Sequence, residues 1–323
     1  MLDSLKKIRE FFEEVYALEQ FELLSVDQAT WLKGYHWPCE DPQSVLQVSH
    51  GMAEHLLRYQ PLADYLNKQK IVMIGHDHLG HGASIHTDPP GYFHDKTLKH
   101  GLVQDLYQVT QWGKNKYPNL PFFILGHSMG SFILRNYLYE FGEKLTGAIL
   151  VGTGQQPLWL TRFGQQSAKL LGKIQGEKHP SKLIDQLAFG NMNRKIHNKK
   201  TNKDWLVSLP EEVTAYLADP DCGFLFTLNG YQELFSLIIR AQEPEEINKI
   251  PKELPLLFLS GKADPIGDFG KGVMKAASTY QAAGMKQVTV RLYEKARHEL
   301  LNEAQKSTVF HDISKWMENI SIK

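Results

Sequence analysis

The sequence predicts an α/β fold, a mostly parallel central sheet flanked by helices on both faces. Short apolar runs recur at Ser44–Ser49, Ile71–Gly75, Pro121–Gly126, Gly147–Gly152, Pro255–Gly261 and Val288–Tyr293. Runs of this kind, apolar at nearly every position, suit strands buried on both faces. Amphipathic helical stretches separate them, and strand–helix alternation implies parallel strands joined by crossovers. The alternation breaks once, between Thr153 and Ile250. Helical pieces rich in Leu, Trp and Phe fill that interval, so a helical unit is inserted after the sixth strand.

Residues 2–18 read as an amphipathic helix, with Leu2, Leu5, Ile8, Phe12, Val15 and Tyr16 on one face. Its acidic and basic residues offset one another, which favours packing on the main domain over a basic membrane-surface helix. Phe21–Val26 and Trp31–Trp37 form a hairpin through Asp27-Gln28-Ala29-Thr30 and supply an antiparallel edge. The 44–49 strand follows, then a helix over Ala53–Leu66 and the 71–75 strand. A loop rich in Gly, His and Pro runs from Leu79 to about Lys99. A helix over Leu102–Tyr117 stops at Pro118, which cannot continue it. The strand ending at Gly126 leads into a helix over Ser131–Phe141. After the inserted unit come helices at Gly272–Ala283 and Gln305–Met317. The expected organisation is a core of residues 1–152 and 251–323 and a helical cap of residues 153–250.

Lys and Arg number 36 and Asp and Glu number 36, so no basic excess points to nucleic acid. No apolar run reaches the length of a membrane span. The first ten residues are too charged for a signal peptide. Cys39 and Cys222 are far apart and make no disulfide framework. The expected compartment is the cytoplasm, with both thiols reduced.

Gly126-His127-Ser128-Met129-Gly130 sits between a strand and a helix. A nucleophile elbow needs that context: the serine is lifted out of a sharp turn, and flanking glycines leave room for the neighbouring backbone. The helix that follows aims free N–H groups at the space above Ser128. In a sheet of this kind, reactive groups gather at the carboxyl ends of strands. Asp264 follows the 255–261 strand and His298 follows the 288–293 strand. Ser128, Asp264, His298 is the chain order of one of the three familiar serine hydrolase arrangements. His298 would act as the base and Asp264 would fix its tautomer. Asp268 is a competing carboxylate further into its loop, and His311 lies within the last helix. Met129 N–H is one expected oxyanion donor. The loop His50-Gly51-Met52-Ala53-Glu54-His55 offers the other at Met52, with Gly51 permitting close approach.

These motifs together resemble a known family. His50-Gly51-Met52-Ala53-Glu54-His55 with Arg58-Tyr59, Asp77-His78-Leu79-Gly80-His81-Gly82, Gly126 to Gly130, and Arg297-His298-Glu299-Leu300-Leu301 look like the monoacylglycerol lipase and lysophospholipase group of serine α/β-hydrolases. The resemblance covers about residues 20–320. It implies the α/β-hydrolase fold, the triad Ser128, Asp264 and His298, the oxyanion donors Met52 and Met129, and a cap made by the inserted helices. It implies no cofactor. Ala53 stands where many members carry glycine.

Other readings fare less well. His76-Asp77-His78-Leu79-Gly80-His81 has the look of a metal cluster, but Gly80 stands where that pattern has Asp, so a glycine-shaped loop is the expectation. Gly152-Thr153-Gly154 starts like a dinucleotide fingerprint and fails at Pro157. A non-catalytic scaffold would not need all these groups. The expected activity is hydrolysis of a carboxylic ester with an acyl chain, with thioesterase or aminopeptidase chemistry as the alternative on the same triad. The basic run Arg194, Lys195, Lys199, Lys200 and Lys203 would draw a phosphate headgroup or an anionic membrane surface to the cap, which favours a lysolipid substrate.

Overall fold

The computed structural model describes residues 18–93 and 100–322. The helix expected over residues 2–18 falls outside these, apart from Leu18. Eight strands form one sheet in the order β1-β2-β4-β3-β5-β6-β7-β8. They are β1 (Glu19–Leu24), β2 (Trp31–Trp37), β3 (Ser44–Ser49), β4 (Ile71–His76), β5 (Phe122–His127), β6 (Gly147–Val151), β7 (Leu256–Gly261) and β8 (Val288–Tyr293). β1 and β2 pair antiparallel, as does β2 with β4, and the rest is parallel. The hairpin thus supplies the antiparallel edge. β1 starts two residues earlier than the sequence pattern suggested.

The buried runs explain the layers. β3, β5, β6 and β7 are buried at every position. Successive side chains alternate between two cores. Val45, Phe122, Ile124 and Phe258 face one core with helices α2 (Gly101–Lys116), α3 (Met129–Phe141) and α9 (Lys271–Ala282). Leu46, Phe123, Leu125 and Leu257 face the other with α1 (Gln60–Asn67) and α10 (Lys306–Ser321). The helix expected from Ala53 begins later. A 3-10 turn spans Leu56–Tyr59, and α1 opens with Pro61 in its first turn, where a missing N–H costs nothing.

Between β6 and β7 the chain forms α4 (Leu158–Gln175), α5 (Lys182–Phe189), α6 (Pro210–Ala218), α7 (Leu228–Arg240) and α8 (Pro244–Ile247). This interval holds no strand, only an isolated bridge between Pro180 and Thr227. The buried guanidinium of Arg135 on α3 donates to the carbonyls of Gly154 and Ala241 at 2.8 and 2.6 Å, and Asn136 donates to Leu237 at 3.0 Å. These polar contacts fasten the inserted helices to the core.

The strand order reverses around β3, which lies between β4 and β5. Ser49 ends β3 in register with Gly126 on β5, so the 50–55 loop and the 128 turn leave the sheet side by side. Their closeness depends on Gly130. A Cβ there would stand 2.0 Å from the Ser49 carbonyl oxygen, and one at Gly126 would stand 2.4 Å from the Gly130 oxygen. Neither clash involves a flexible side chain. Gly130→Ala is therefore expected to lower stability by about 3 kcal/mol or more, read as a fall in the urea midpoint. An unchanged midpoint would show that the strand and helix can separate at no cost.

Candidate active site

Ser128 adopts φ 51° and ψ −118° at the head of α3. A left-handed φ on a non-glycine residue is strained and found where function requires it. The turn projects Oγ to 2.8 Å from His298 Nε2, and His298 Nδ1 lies 3.0 Å from Asp264 Oδ2. Asp264 Oδ1 accepts the Ile266 N–H at 2.8 Å, which fixes the carboxylate. In the tautomer this geometry supports, His298 donates from Nδ1 to Asp264 and accepts from Ser128 at Nε2. Asp264 and His298 are both buried. Among the described residues no hydrogen bond joins Asp268 to His298, whose ring nitrogens meet Asp264 and Ser128, and His311 lies within α10. The structure thus brings together the three residues singled out by their place at strand ends.

Gly51, Met52, Ser128, Met129 and His298 line one cavity of about 200 Å³. Among the described residues, neither the Met52 nor the Met129 N–H has a hydrogen-bond partner. Two free donors beside a serine Oγ can stabilise an oxyanion. The far walls come from the inserted helices and are largely apolar, with Leu160, Phe163, Ile184, Leu187, Phe235 and Ile238 among them. The basic run does not converge here. Of its five members only Lys203 lines this cavity; Lys199 and Lys200 line a separate polar one, and Lys195 stacks over Phe269.

A family described as serine aminopeptidase, S33, matches residues 40–305. Human monoglyceride lipase is 30% identical over 288 residues, covering 88% of this chain and 85% of that protein. The monoacylglycerol lipase of Mycolicibacterium smegmatis is 26% identical, covering 87% and 90%. Among solved structures, a thermostable carboxyl esterase from Bacillus coagulans in complex with glycerol superposes with a TM-score of 0.87 at 27% identity, covering 94% of this chain and 99% of that one. Monoglyceride lipase from Saccharomyces cerevisiae with a substrate analogue shares the fold, with a TM-score of 0.74 at 20% identity and coverage of 95% and 96%. The chain belongs to this serine α/β-hydrolase family. It is a carboxylic-ester hydrolase of the monoacylglycerol lipase group.

Several residues of this hydrolase site carry no signal in a spacing analysis. Glu54 Oε1 accepts the Gly51 N–H at 2.6 Å and the Tyr59 hydroxyl at 3.0 Å, and lies 3.0 Å from His127 Nδ1. Arg58 bridges Glu54 and Glu299, the residue after His298, at 2.7–2.9 Å. Burial opposes charge on Glu54, yet His127 and Arg58 hold it well below the usual carboxylate range. Burial likewise disfavours charge on His127, but the hydrogen bond and charge of Glu54, with the charge of Glu299 and the His298 carbonyl, together outweigh it and raise the pKa. Glu54, Arg58 and Glu299 stand inside the motifs noted above, but only the fold reveals that they pair.

The histidines after β4 shape the loop. His81 Nε2 accepts the Ala53 N–H at 3.2 Å, and its Nδ1 faces the Leu79 carbonyl at 2.9 Å. His50 Nε2 accepts the His78 N–H at 3.0 Å, and its Nδ1 faces the Gly51 carbonyl at 2.8 Å. Among the described residues, these histidines do not converge as metal ligands. Burial holds all of them neutral: His50 and His78 lie well below the ordinary value, His76 is lowered to about 3 and His81 to about 4.

That neutrality sets a pH dependence of stability. Below about pH 6.5 the unfolded chain protonates these imidazoles while the folded one does not. Their depressed values therefore erode stability as pH falls, by up to about 1.4 kcal/mol per pH unit for each histidine. His127, whose value is raised, opposes this trend: its contribution is present below about pH 6.5 and fades as pH rises through its folded value. Urea midpoints are expected to fall between pH 7 and pH 5. Neither His76 ring nitrogen has a partner, so His76→Phe should remove about one proton from the slope. A flat profile would contradict the buried-neutral assignment.

Proposed function

We propose that the protein hydrolyses lipids bearing one acyl chain, with glycerol as the first candidate alcohol. Ser128 Oγ attacks the ester carbonyl as His298 Nε2 takes its proton. Met52 and Met129 N–H groups receive the oxyanion. His298 then protonates the departing alcohol, and a water, deprotonated by the same imidazole, releases the acid from Ser128. Asp264 holds the imidazole and stabilises its charged form. The observation that carries this reading is the hydrogen-bonded line Asp264–His298–Ser128 at the wall of an apolar cavity. The inserted helices act as a cap, and their Leu, Ile and Phe side chains suit an acyl chain. The monoglyceride lipases among the relatives support glycerol as the alcohol.

Lys203 favours a second reading within the same chemistry. It lines the acyl cavity and the neighbouring polar one, and makes no ion pair among the described residues. Burial lowers its pKa, with Asp185 and Glu299 acting in the other direction. A phosphate on the alcohol would give this amine a partner, which points to a lysophospholipid. One panel tests both: 1-oleoylglycerol, oleoyl lysophosphatidic acid and 4-nitrophenyl esters of graded length. Ser128→Ala is expected to lower every turnover by about 10⁵-fold, and Asp264→Asn by about 10⁴-fold. Lys203→Met should cut the ratio of kcat/KM for lysophosphatidic acid to that for oleoylglycerol. An unchanged ratio would remove the phosphate reading, and a loss of less than about tenfold in Ser128→Ala would remove Ser128 as nucleophile.

We also propose that the cap rests on lipid surfaces. Trp159, Leu170 and Ile174 of α4 and Leu183 of α5 are exposed, Trp159 by 73% and Ile174 by 72%. Leu160, Phe163 and Leu187 are exposed and line the cavity as well, so the apolar face surrounds its mouth. Faces of this kind mark interaction sites. Trp159→Ser with Ile174→Ser is expected to weaken partition onto phosphatidylcholine vesicles at least tenfold, since each side chain contributes about 2 kcal/mol when buried. Turnover of a water-soluble short ester should change little. Equal sedimentation of both proteins with vesicles would show that the face has another use.

A further inference from the structure

Three side chains that the ester chemistry does not use meet where the cap joins the loop after β3. His55 ends the 50–55 loop. Asp219 and Cys222 lie just beyond α6. His55, Asp219 and Cys222 each offer a ligand atom, and these atoms lie within 4.8 Å of one another. Asp219 Oδ2 is 2.9 Å from His55 Nε2, while its Oδ1 accepts the Asp221 N–H at 2.9 Å. The carboxylate is thus oriented by its own turn. Cys222 is a free thiol at the edge of the cap's interior.

We propose that His55, Asp219 and Cys222 form a site for one zinc-class divalent cation that clamps the cap to the oxyanion loop. An imidazole nitrogen, a thiolate and a carboxylate oxygen make a borderline-soft donor set, which suits zinc over magnesium or calcium. Three protein ligands leave one tetrahedral position for water. Bonds of about 2.0–2.3 Å would place ligand atoms about 3.3–3.8 Å apart. The His55–Asp219 contact must open slightly, and the spacing to Cys222 must close by about 1 Å or less. On binding, the Cys222 S–H bond breaks, its proton passes to solvent and a metal–sulfur bond forms, while His55 coordinates through an unprotonated ring nitrogen. The side chains of His55 and Asp219 are 14% and 30% exposed, which leaves an entry path. Arg58 is the nearby cation that would oppose a metal, and Glu54 and Glu299 already neutralise it.

The position gives the ion a mechanical role. The Ala53 carbonyl accepts the Tyr216 hydroxyl at 3.0 Å and the Gly223 N–H at 2.9 Å. The backbone that carries the Met52 N–H is thus already tied to the same stretch of cap. A cation two residues further along would turn these hydrogen bonds into a coordinate clamp. Cation binding does not depend on the reaction assigned to Ser128, so the test reads binding directly.

The full chain, stripped with EDTA, is titrated with Co²⁺ and then Zn²⁺. One equivalent of Co²⁺ is expected to give a thiolate-to-cobalt charge-transfer band that Zn²⁺ displaces. Zn²⁺ should also raise the unfolding temperature, because the assembled site binds it more tightly than the unfolded chain does. Cys222→Ser should abolish the band and weaken Zn²⁺ binding at least tenfold, while Cys39→Ser should leave both intact. Asp219→Asn keeps an acceptor for the Asp221 N–H and should weaken binding too; it decides the matter if Cys222→Ser fails to fold. No band, a band that survives Cys222→Ser, or one lost with Cys39→Ser would overturn the site and leave His55–Asp219 as an ordinary hydrogen-bonded pair.

Discussion

The contact between Gly130 and the Ser49 carbonyl sets the geometry on which this molecule depends. The first turn of α3 can lie against the end of β3 only because no side chain intervenes. That approach places Ser128 beside the 50–55 loop, so the proposed nucleophile and the proposed oxyanion donor Met52 arise from neighbouring strands at the reversal of strand order. Asp264 and His298 then need only occupy the ends of β7 and β8. The sheet fixes their spacing, and the strained φ of Ser128 completes the alignment.

Behind this frame lies a buried ionic network that ties three loops together. Glu54 reaches the Gly51 N–H, His127 and Arg58, and Arg58 reaches Glu299 beside His298. Taking such charges out of water is costly, and replacing a buried pair by apolar groups is often neutral or stabilising. The network is better understood as specifying geometry. It connects the backbone that presents Met52 to the backbone that presents His298, so a shift in one is felt by the other.

The sequence made the sheet, its antiparallel edge, the inserted helices and the order of Ser128, Asp264 and His298 readable, because each follows from local chemistry. Apolar runs mark buried strands, glycines mark close approach, and strand ends mark where reactive groups gather. Pairings between distant residues were not readable. Nothing in the spacing of Glu54 and His127, or of Arg58 and Glu299, requires contact, and only the folded chain supplies it. The start of α1 departs from the sequence pattern for a related reason: the Glu54 side chain turns back to Gly51, a 3-10 turn follows, and regular helix begins at Gln60. The basic run does not gather at one place, because it lies in a short 3-10 helix and the turns that follow; Lys203 lines the acyl cavity, while Lys199 and Lys200 line the neighbouring polar one.

Ala53 joins these observations. Its φ of 52° lies in the left-handed region, where a β-carbon is strained and glycine is at ease. The surroundings must hold it there. His81 accepts its N–H, while Tyr216 and Gly223 of the cap donate to its carbonyl. Two of these three restraints come from the cap. The strained peptide adjoins Met52, so the orientation of the proposed oxyanion donor depends on a segment outside the sheet. With glycine at this position the loop would adopt this conformation without the steric cost. With alanine, the cap's position and the loop's shape become a single conformational variable, and a clamp between His55 and the cap would act on that variable directly.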